Sequence, residues 1–257
     1  MLAQVALSML AIGLLLGFVG AGGSGFIISI LTVGFGYSIH TVLGTALLAM
    51  LLSSLSGAVS HYRQGNIRLG IGVIAGTGGA IGAWWSSGLA VDIPSRILAT
   101  LTAGMLILSG AALWARLRFG AKRGAAEAEQ AAADAKLETG RSRLYALGIG
   151  IATGTASGLF GIGSTPFIQL GLIAVLGLSA RLAAGTTMAI IVPIALGGGL
   201  GYYRTGHLDP WLLAAVAPSI MLGSYLGAKL TGRVPVRWLQ RAIVAVPITG
   251  GLILLIG

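Results

Sequence analysis

The sequence predicts an all-α polytopic membrane protein made of two homologous repeats. Composition, a repeat at constant offset and the lengths of the apolar runs predict it. The 257 residues are 56% hydrophobic and 9% charged, where a soluble domain carries about 25% charged residues. So few charges cannot cover a soluble surface, and the mean hydropathy of +0.94 places most of the chain in lipid. A chain without cysteine cannot be a disulfide scaffold or hold a thiolate metal site. On a soluble protein the net charge of +10 would suit nucleic acid. On a membrane protein it marks cytoplasmic loops, so the expected surroundings are a bilayer, without nucleic acid.

Shifting the sequence by 141 positions aligns the halves without a gap from Gly17 to Arg96. Gly20 and Gly22 fall on Gly161 and Gly163, Phe26 on Phe167, and Gly44-Thr45 on Gly185-Thr186. Tyr62-Arg63-x-Gly65 meets Tyr203-Arg204-x-Gly206, and Pro94-x-Arg96 meets Pro235-x-Arg237. Glycine-rich apolar sequences match easily by chance; the charged and proline pairs at the same shift do not. The chain therefore divides into a repeat over 1–115, a charged linker over 116–143 and a second repeat over 144–257.

Each repeat opens on an apolar stretch, 3–36 or 144–177. Met1 to Gln4 carries no basic side chain, unlike a cleavable signal peptide, and reads as the start of a membrane helix. As one helix such a stretch would measure about 51 Å, against a hydrocarbon core of about 30 Å. It must break. The breaks are Gly20-Ala21-Gly22-Gly23-Ser24-Gly25 and Gly161-Ile162-Gly163-Ser164-Thr165-Pro166. Three full spans follow in each repeat: 40–62, 67–89 and 95–115, then 179–203, 209–230 and 235–256. Eight to ten membrane helices result. Gly72/Gly76, Gly78/Gly82 and Gly223/Gly227 read as close helix-packing faces. The linker, rich in Ala and basic residues, reads as a cytoplasmic tether.

Charge sets the orientation. A cytoplasmic linker puts the Arg63/Arg68 turn inside and the Asp92/Arg96 turn, net zero, outside. If each broken segment is a hairpin, each repeat crosses an odd number of times and the repeats are inverted. Arg181 and the Lys229, Arg233, Arg237, Arg241 cluster then lie inside as well, which the positive-inside rule favours. A break that crosses once would face that cluster outward. The expected location is the inner cell membrane. The tryptophans, mostly near span ends, read as interfacial anchors.

Asp92 and Asp209 lie at turns and the other four acids in the linker, so a carboxylate proton relay at membrane depth is not expected. His40, His61 and His207 lack metal-ligand spacing, and no Ser-His-Asp arrangement has motif context. Neither catalysis, a metal nor a cofactor is expected. The glycines of 20–25 match a dinucleotide fingerprint literally, yet no acid follows until Asp92, so that match is false. The breaks fit another use. Ser164 or Thr165 can cap a helix whose first position is Pro166. Unwound glycine backbone offers free N–H groups and the positive end of a half-helix dipole. Two such breaks at matching places point to an anion site near the midplane. Its candidate residues are Gly22, Gly23, Ser24, Gly163, Ser164 and Thr165, with Thr45, Thr186 and Thr187 as candidate lining. Arg63 and Arg204 either attract anions or snorkel to the interface.

The duplicated order of Gly-rich break, Gly-Thr and aromatic-basic-x-Gly turn resembles the TauE/SafE family, the sulfite exporters. The pieces are Gly20 to Gly25, Gly44-Thr45 and Tyr62-Arg63-Gln64-Gly65, then Gly161 to Pro166, Gly185-Thr186-Thr187 and Tyr203-Arg204-Thr205-Gly206. The resemblance covers nearly the whole chain apart from the linker. It implies transport, usually outward, of small sulfur anions such as sulfite, sulfoacetate or other organosulfonates. Neither break is a full Gly-Gly-Gly, and the first lacks the second's Ser-Thr-Pro, so the half-sites are expected to be unequal. The expected mechanism is alternating access. A Na⁺-coupled uptake permease, an anion channel and a non-transporting scaffold stay open as alternatives, and a homo-oligomer is compatible with the sequence.

Overall fold

The computed structural model describes residues 2–19, 24–120, 140–161, 164–231 and 236–257. Repeat 1 contains α1 (Leu2–Val19), α2 (Ser24–Ser29, continued by a π-helical turn Ile30–Gly34), α3 (Ile39–Arg63), α4 (Leu69–Val91) and α5 (Ser95–Gly120). Repeat 2 contains α6 (Gly140–Phe160), α7 (Thr165–Ala174), α8 (Ala180–Arg204), α9 (Pro210–Thr231) and α10 (Val236–Ile256). The second apolar stretch leaves the helix at Gly161 and Ser164, both at positive φ; residues 20–23 of the first expected break lie outside the described part. The expected linker contributes its ends to helices, because α5 runs on to Gly120 and α6 starts at Gly140; residues 121–139 lie outside the described part.

Length and apolarity suffice to cross a membrane in α3, in the Ser95–Ala115 part of α5 and in the Arg181–Arg204 part of α8. Of the six full spans expected, these three meet the criterion. α4 has 23 residues, but its glycines and serines dilute the apolar content. Pro210–Leu226 of α9 and Val244–Ile256 of α10 are shorter apolar helices.

The pairing of helices respects the repeat. α4 packs along α6 and α9 along α1; α3 packs along α8, and α5 along α10. Replacing each helix by its counterpart in the other repeat leaves this set unchanged. The contacts also give direction. Along α3 and α8, Gly44 lies against Tyr202, Leu47 against Gly198, Gly57 against Met188 and His61 against Gly185, so the two helices are antiparallel. Gly110 against Ile248 and Ala103 against Gly251 make α5 and α10 antiparallel as well. α4 and α6 are parallel, with Gly150 on Ala75, Gly154 on Gly79 and Gly158 on Ala83. α7 turns back along α6, bringing Gly171 to Ile149.

Glycine permits these approaches. In lipid no hydrophobic term drives helices together, so association rests on close van der Waals packing by small residues. A Cβ at Gly76 would stand 2.6 Å from Cγ of Pro193, whose ring sits inside α8. One at Gly82 would stand 2.9 Å from the Ile151 carbonyl oxygen. Gly76, Gly78, Gly82 and Gly223 lie in such contacts, whereas a Cβ at Gly72 would meet nothing nearer than 3.7 Å, and the surroundings of Gly227 lie outside the described part. The longer ridge Gly150, Gly154, Gly158 on α6 is an addition from the structure.

A methyl on Gly154 would press on the backbone of Gly79, whereas one on Gly148 of the same helix meets nothing within 4 Å. Gly154→Ala is therefore expected to destabilise by about 1–3 kcal/mol through overpacking. Gly148→Ala should be neutral or stabilising by up to about 1 kcal/mol through helix propensity. Thermal melts of both variants in detergent check the contrast.

Candidate substrate site at the two helix breaks

The depth of each break follows from helix rise. Gly25 packs on Leu106 of α5, about 16 Å from the Ser95 end at 1.5 Å per residue. Gly171 packs on Ile149, and counting back to Thr165 places the start of α7 about 22 Å from the Gly140 end. Those ends belong to opposite faces of the bundle, whose α3 is about 37 Å long. Both half-helices thus begin near mid-depth, each pointing its amino end, and the positive end of its dipole, into the interior.

Gly22, Gly23 and Gly163 lie outside the described residues. Ser24, the first described residue of α2, is buried and its hydroxyl has no hydrogen-bond partner among the described residues. Ser29, one turn on, is fully satisfied: its Oγ–H reaches the Gly25 carbonyl at 2.8 Å and the Gly250 carbonyl of α10 at 2.6 Å. At the second break Gly161 takes φ +61° and Ser164 φ +36°, the latter the one non-glycine residue with positive φ among those described. Of the two residues expected to cap α7, Ser164 or Thr165, Ser164 does not. A capping serine needs extended backbone to reach the N2 or N3 amide. Left-handed Ser164 makes no side-chain cap, and its Oγ accepts instead from Ser157 Oγ at 3.0 Å. Pro166 does occupy the first turn of α7, and Ser164 contributes through its carbonyl, which accepts from Ile168 N at 2.9 Å. Thr165 opens the helix beside it.

The threonines divide. Thr45 donates to the Thr41 carbonyl at 2.8 Å within its own helix. Thr186 Oγ1 accepts from Arg68 N at 3.1 Å, which ties α8 to the start of α4. Thr187 is buried with its hydroxyl unpartnered. Because α3 and α8 are antiparallel, Thr45 and Thr186 sit toward opposite ends of that pair, about 22 Å apart along the axis. They do not share one cavity wall.

The two sequence motifs meet across the repeats. Gly44 packs on the His207 carbonyl of the second aromatic-basic turn, and Gly185 on the Asn66 carbonyl of the first. Gly161 of the second break packs on Leu43 of repeat 1. Each Gly-Thr is thus a landing point for the other repeat's turn. Arg63 is exposed, while the Arg204 guanidinium stacks over Trp84 at 4.3 Å from the ring centroid. A stacked guanidinium keeps its charge and gains a cation–π contact, so Trp84 is more than an interfacial anchor.

Sequence reasoning passed over Ser86, Ser157 and Tyr202. Ser86 Oγ donates to the Thr155 carbonyl at 2.9 Å, and the fully buried Tyr202 hydroxyl donates to the Gly158 carbonyl at 2.9 Å. These bonds clamp the lower turn of α6 just before the break. The doubled tyrosine at 202–203, set against His61-Tyr62 in the other repeat, was the available signal. His40 and His207, distant in sequence, lie 5.4 Å apart by ring centroids and each bonds a backbone carbonyl. Among the described residues no three His, Cys, Asp or Glu are grouped to hold a metal.

Comparison with known proteins gives the same direction. Residues 5–254 match the family described as Sulfite exporter TauE/SafE. The chain is 45% identical over 251 residues to a Bacillus subtilis (strain 168) protein named "Probable membrane transporter protein YdhB", covering 98% of this chain and 99% of that one. No solved structure matches. A broken, glycine-packed, duplicated helical bundle matched from end to end in this way belongs to the TauE/SafE family of membrane transporters.

Proposed function

We propose that the protein exports small sulfur-containing anions, sulfite or an organosulfonate such as sulfoacetate, across the cell membrane by alternating access. The observation that carries the reading is the pair of half-helices, α2 and α7, that start at mid-depth with their amino ends inward. A buried helix amino end is an anion site by its N–H groups and dipole. Ser24 adds a buried hydroxyl that has no partner of its own. Thr187 carries another, and Ser164 and Thr165 lie at the opposite half-site. Metabolic inside-negative potential drives an anion outward by about 2.3 kcal/mol per charge per 100 mV, so export needs no coupling proton.

Inverted repeats make two alternately open faces equivalent in architecture. Antiparallel packing of α3 with α8, and of α5 with α10, supports inversion, since counterparts related by an axis along the membrane normal would run parallel. A hairpin at each break followed by three crossings would give each repeat the odd parity that inversion needs. The face holding the Arg63/Arg68 turn, the end of α5 and the start of α6 is then cytoplasmic by its charge. The small glycine-lined contacts between the repeats suit rocking of one against the other.

In proteoliposomes we expect flux of sulfite or sulfoacetate, lost when Ser164 and Thr165 are replaced by bulky residues; movement of only neutral or cationic solutes sinks the reading. Ser24→Ala removes a hydrogen bond to a charged solute, about 1.5–3 kcal/mol, so half-saturation should rise at least about tenfold. A Na⁺-gradient requirement would instead mark an uptake permease. For topology, Gln64→Cys and Thr205→Cys, placed in a chain without cysteine, should label with an impermeant maleimide from opposite faces. Labelling from one face overturns inversion.

A further inference from the structure

Two of the chain's three histidines meet across the repeats, on the face away from the linker. His40 opens α3 in repeat 1, and His207 lies in the turn between α8 and α9 in repeat 2. Their ring centroids are 5.4 Å apart, with the planes tilted by 57°. His40 is buried and His207 half-buried. The backbone beside them is close as well: a Cβ at Gly44 would stand 3.1 Å from the His207 carbonyl oxygen. The ring contact therefore sits on one of the two junctions where a helix start receives the other repeat's turn.

Each ring is anchored through one nitrogen. His40 Nε2 lies 3.1 Å from the Ile93 carbonyl oxygen, and His207 Nδ1 lies 2.8 Å from that of Thr205. A carbonyl only accepts, so these two nitrogens carry N–H. One further proton on either ring makes it a cation, whichever way its other nitrogen points. Two neutral rings, or one cation beside a neutral ring, can stay packed. Two cations at 5.4 Å repel enough, at the effective dielectric near a protein surface, to shift an equilibrium on the order of a hundredfold.

The neighbouring charges are already committed or balanced. Asp209, which stands where repeat 1 has Arg68, accepts from the Trp211 and Leu212 amides. Arg204 stacks on Trp84, and the Tyr202 hydroxyl donates to Gly158. Asp92 and Arg96 of the α4–α5 turn are exposed and opposite in charge, and Tyr37 precedes α3. Neither α2 nor the first two turns of α9 add an ionisable side chain. The equivalent junction on the linker-bearing face differs: 141 positions away, His40 corresponds to Arg181 and His207 to Asn66. His61 stands there without a second imidazole.

We infer that His40 and His207 form a proton-operated latch between the repeats. The junction holds while the pair carries at most one added proton and opens when both rings are cationic. The closed junction then binds fewer protons than the open one, so falling pH favours opening. Imidazole changes charge between about pH 5 and 8, and the latch works over that range. For its role it rests on the proposed alternating access, since opening this junction would expose the interior to the side away from the linker. The proton response itself does not depend on what is carried.

The test uses the full chain in lipid nanodiscs, spin-labelled at Ser38→Cys and Trp211→Cys. Both positions are exposed, flank the junction from opposite repeats, and lie in a chain without other cysteines. Between about pH 8 and about pH 5 the ratio of long to short label distances should rise at least about tenfold. His40→Gln and His207→Gln each leave one imidazole, and a glutamine amide can still donate to the carbonyl, so both should keep the short distance throughout. His61→Gln and Asp92→Asn should keep the full response. The latch is overturned by a pH-independent distance in the protein with both histidines. A glutamine variant at 40 or 207 that still responds, or a response lost with His61→Gln or Asp92→Asn, overturns it too. A response intact in a protein that moves no sulfur anion would instead overturn the transport reading and leave the latch standing.

Discussion

The close antiparallel contact of α3 with α8 is the constraint from which the rest of the bundle follows. Lipid withdraws the hydrophobic driving force that joins helices in water, so two helices stay together only where their surfaces interlock. Gly44 and Gly185 let each helix reach the other repeat's turn, at the His207 and Asn66 carbonyls. Gly198 and Gly57 keep the middle of the contact close, against Leu47 and Met188. With α3 and α8 fixed head to tail, α4 is drawn along α8, α6 along α4, and the breaks are held inside.

That arrangement makes the functional elements composite. The second break rests on Leu43 of the first repeat, and Arg204 of the second stacks on Trp84 of the first. Each repeat thus packs on the other at its break or its turn. A shift of one repeat against the other therefore alters both breaks and both turns together, which is what an alternating mechanism requires of its scaffold. The duplicated turns have kept their backbone role and parted in charge, Arg68 on one face and Asp209 on the other. Architectural equivalence of the two faces thus coexists with unequal chemistry.

Much of the fold was legible. Composition gave the membrane, the offset gave the duplication, and span length forced the breaks at the glycines. Spacing marked Gly76, Gly78, Gly82 and Gly223 as packing positions but overreached at Gly72, since helical periodicity decides which residues share a face and not how near a neighbour comes. The site was legible in part. Ser24 and Ser164 could be named as candidates because they stand beside the glycines of each break. Of the two expected caps, Ser164 makes none, since its left-handed backbone leaves its hydroxyl on Ser157 instead of a helix amide. Thr45 and Thr186 looked alike in sequence and are far apart in space, since antiparallel packing sends equivalent positions to opposite ends.

By itself, the sequence determined what each segment is: apolar or charged, broken or continuous, first copy or second. Those are properties of a short window of chain, governed by backbone length, glycine content and the cost of charge in lipid. Only the tertiary structure decided which copy each motif serves. The Gly-Thr of one repeat meets the turn of the other, and Tyr202 clamps α6 rather than lining a span. Contacts between residues more than a hundred positions apart depend on how the helices cross, and no local preference encodes that.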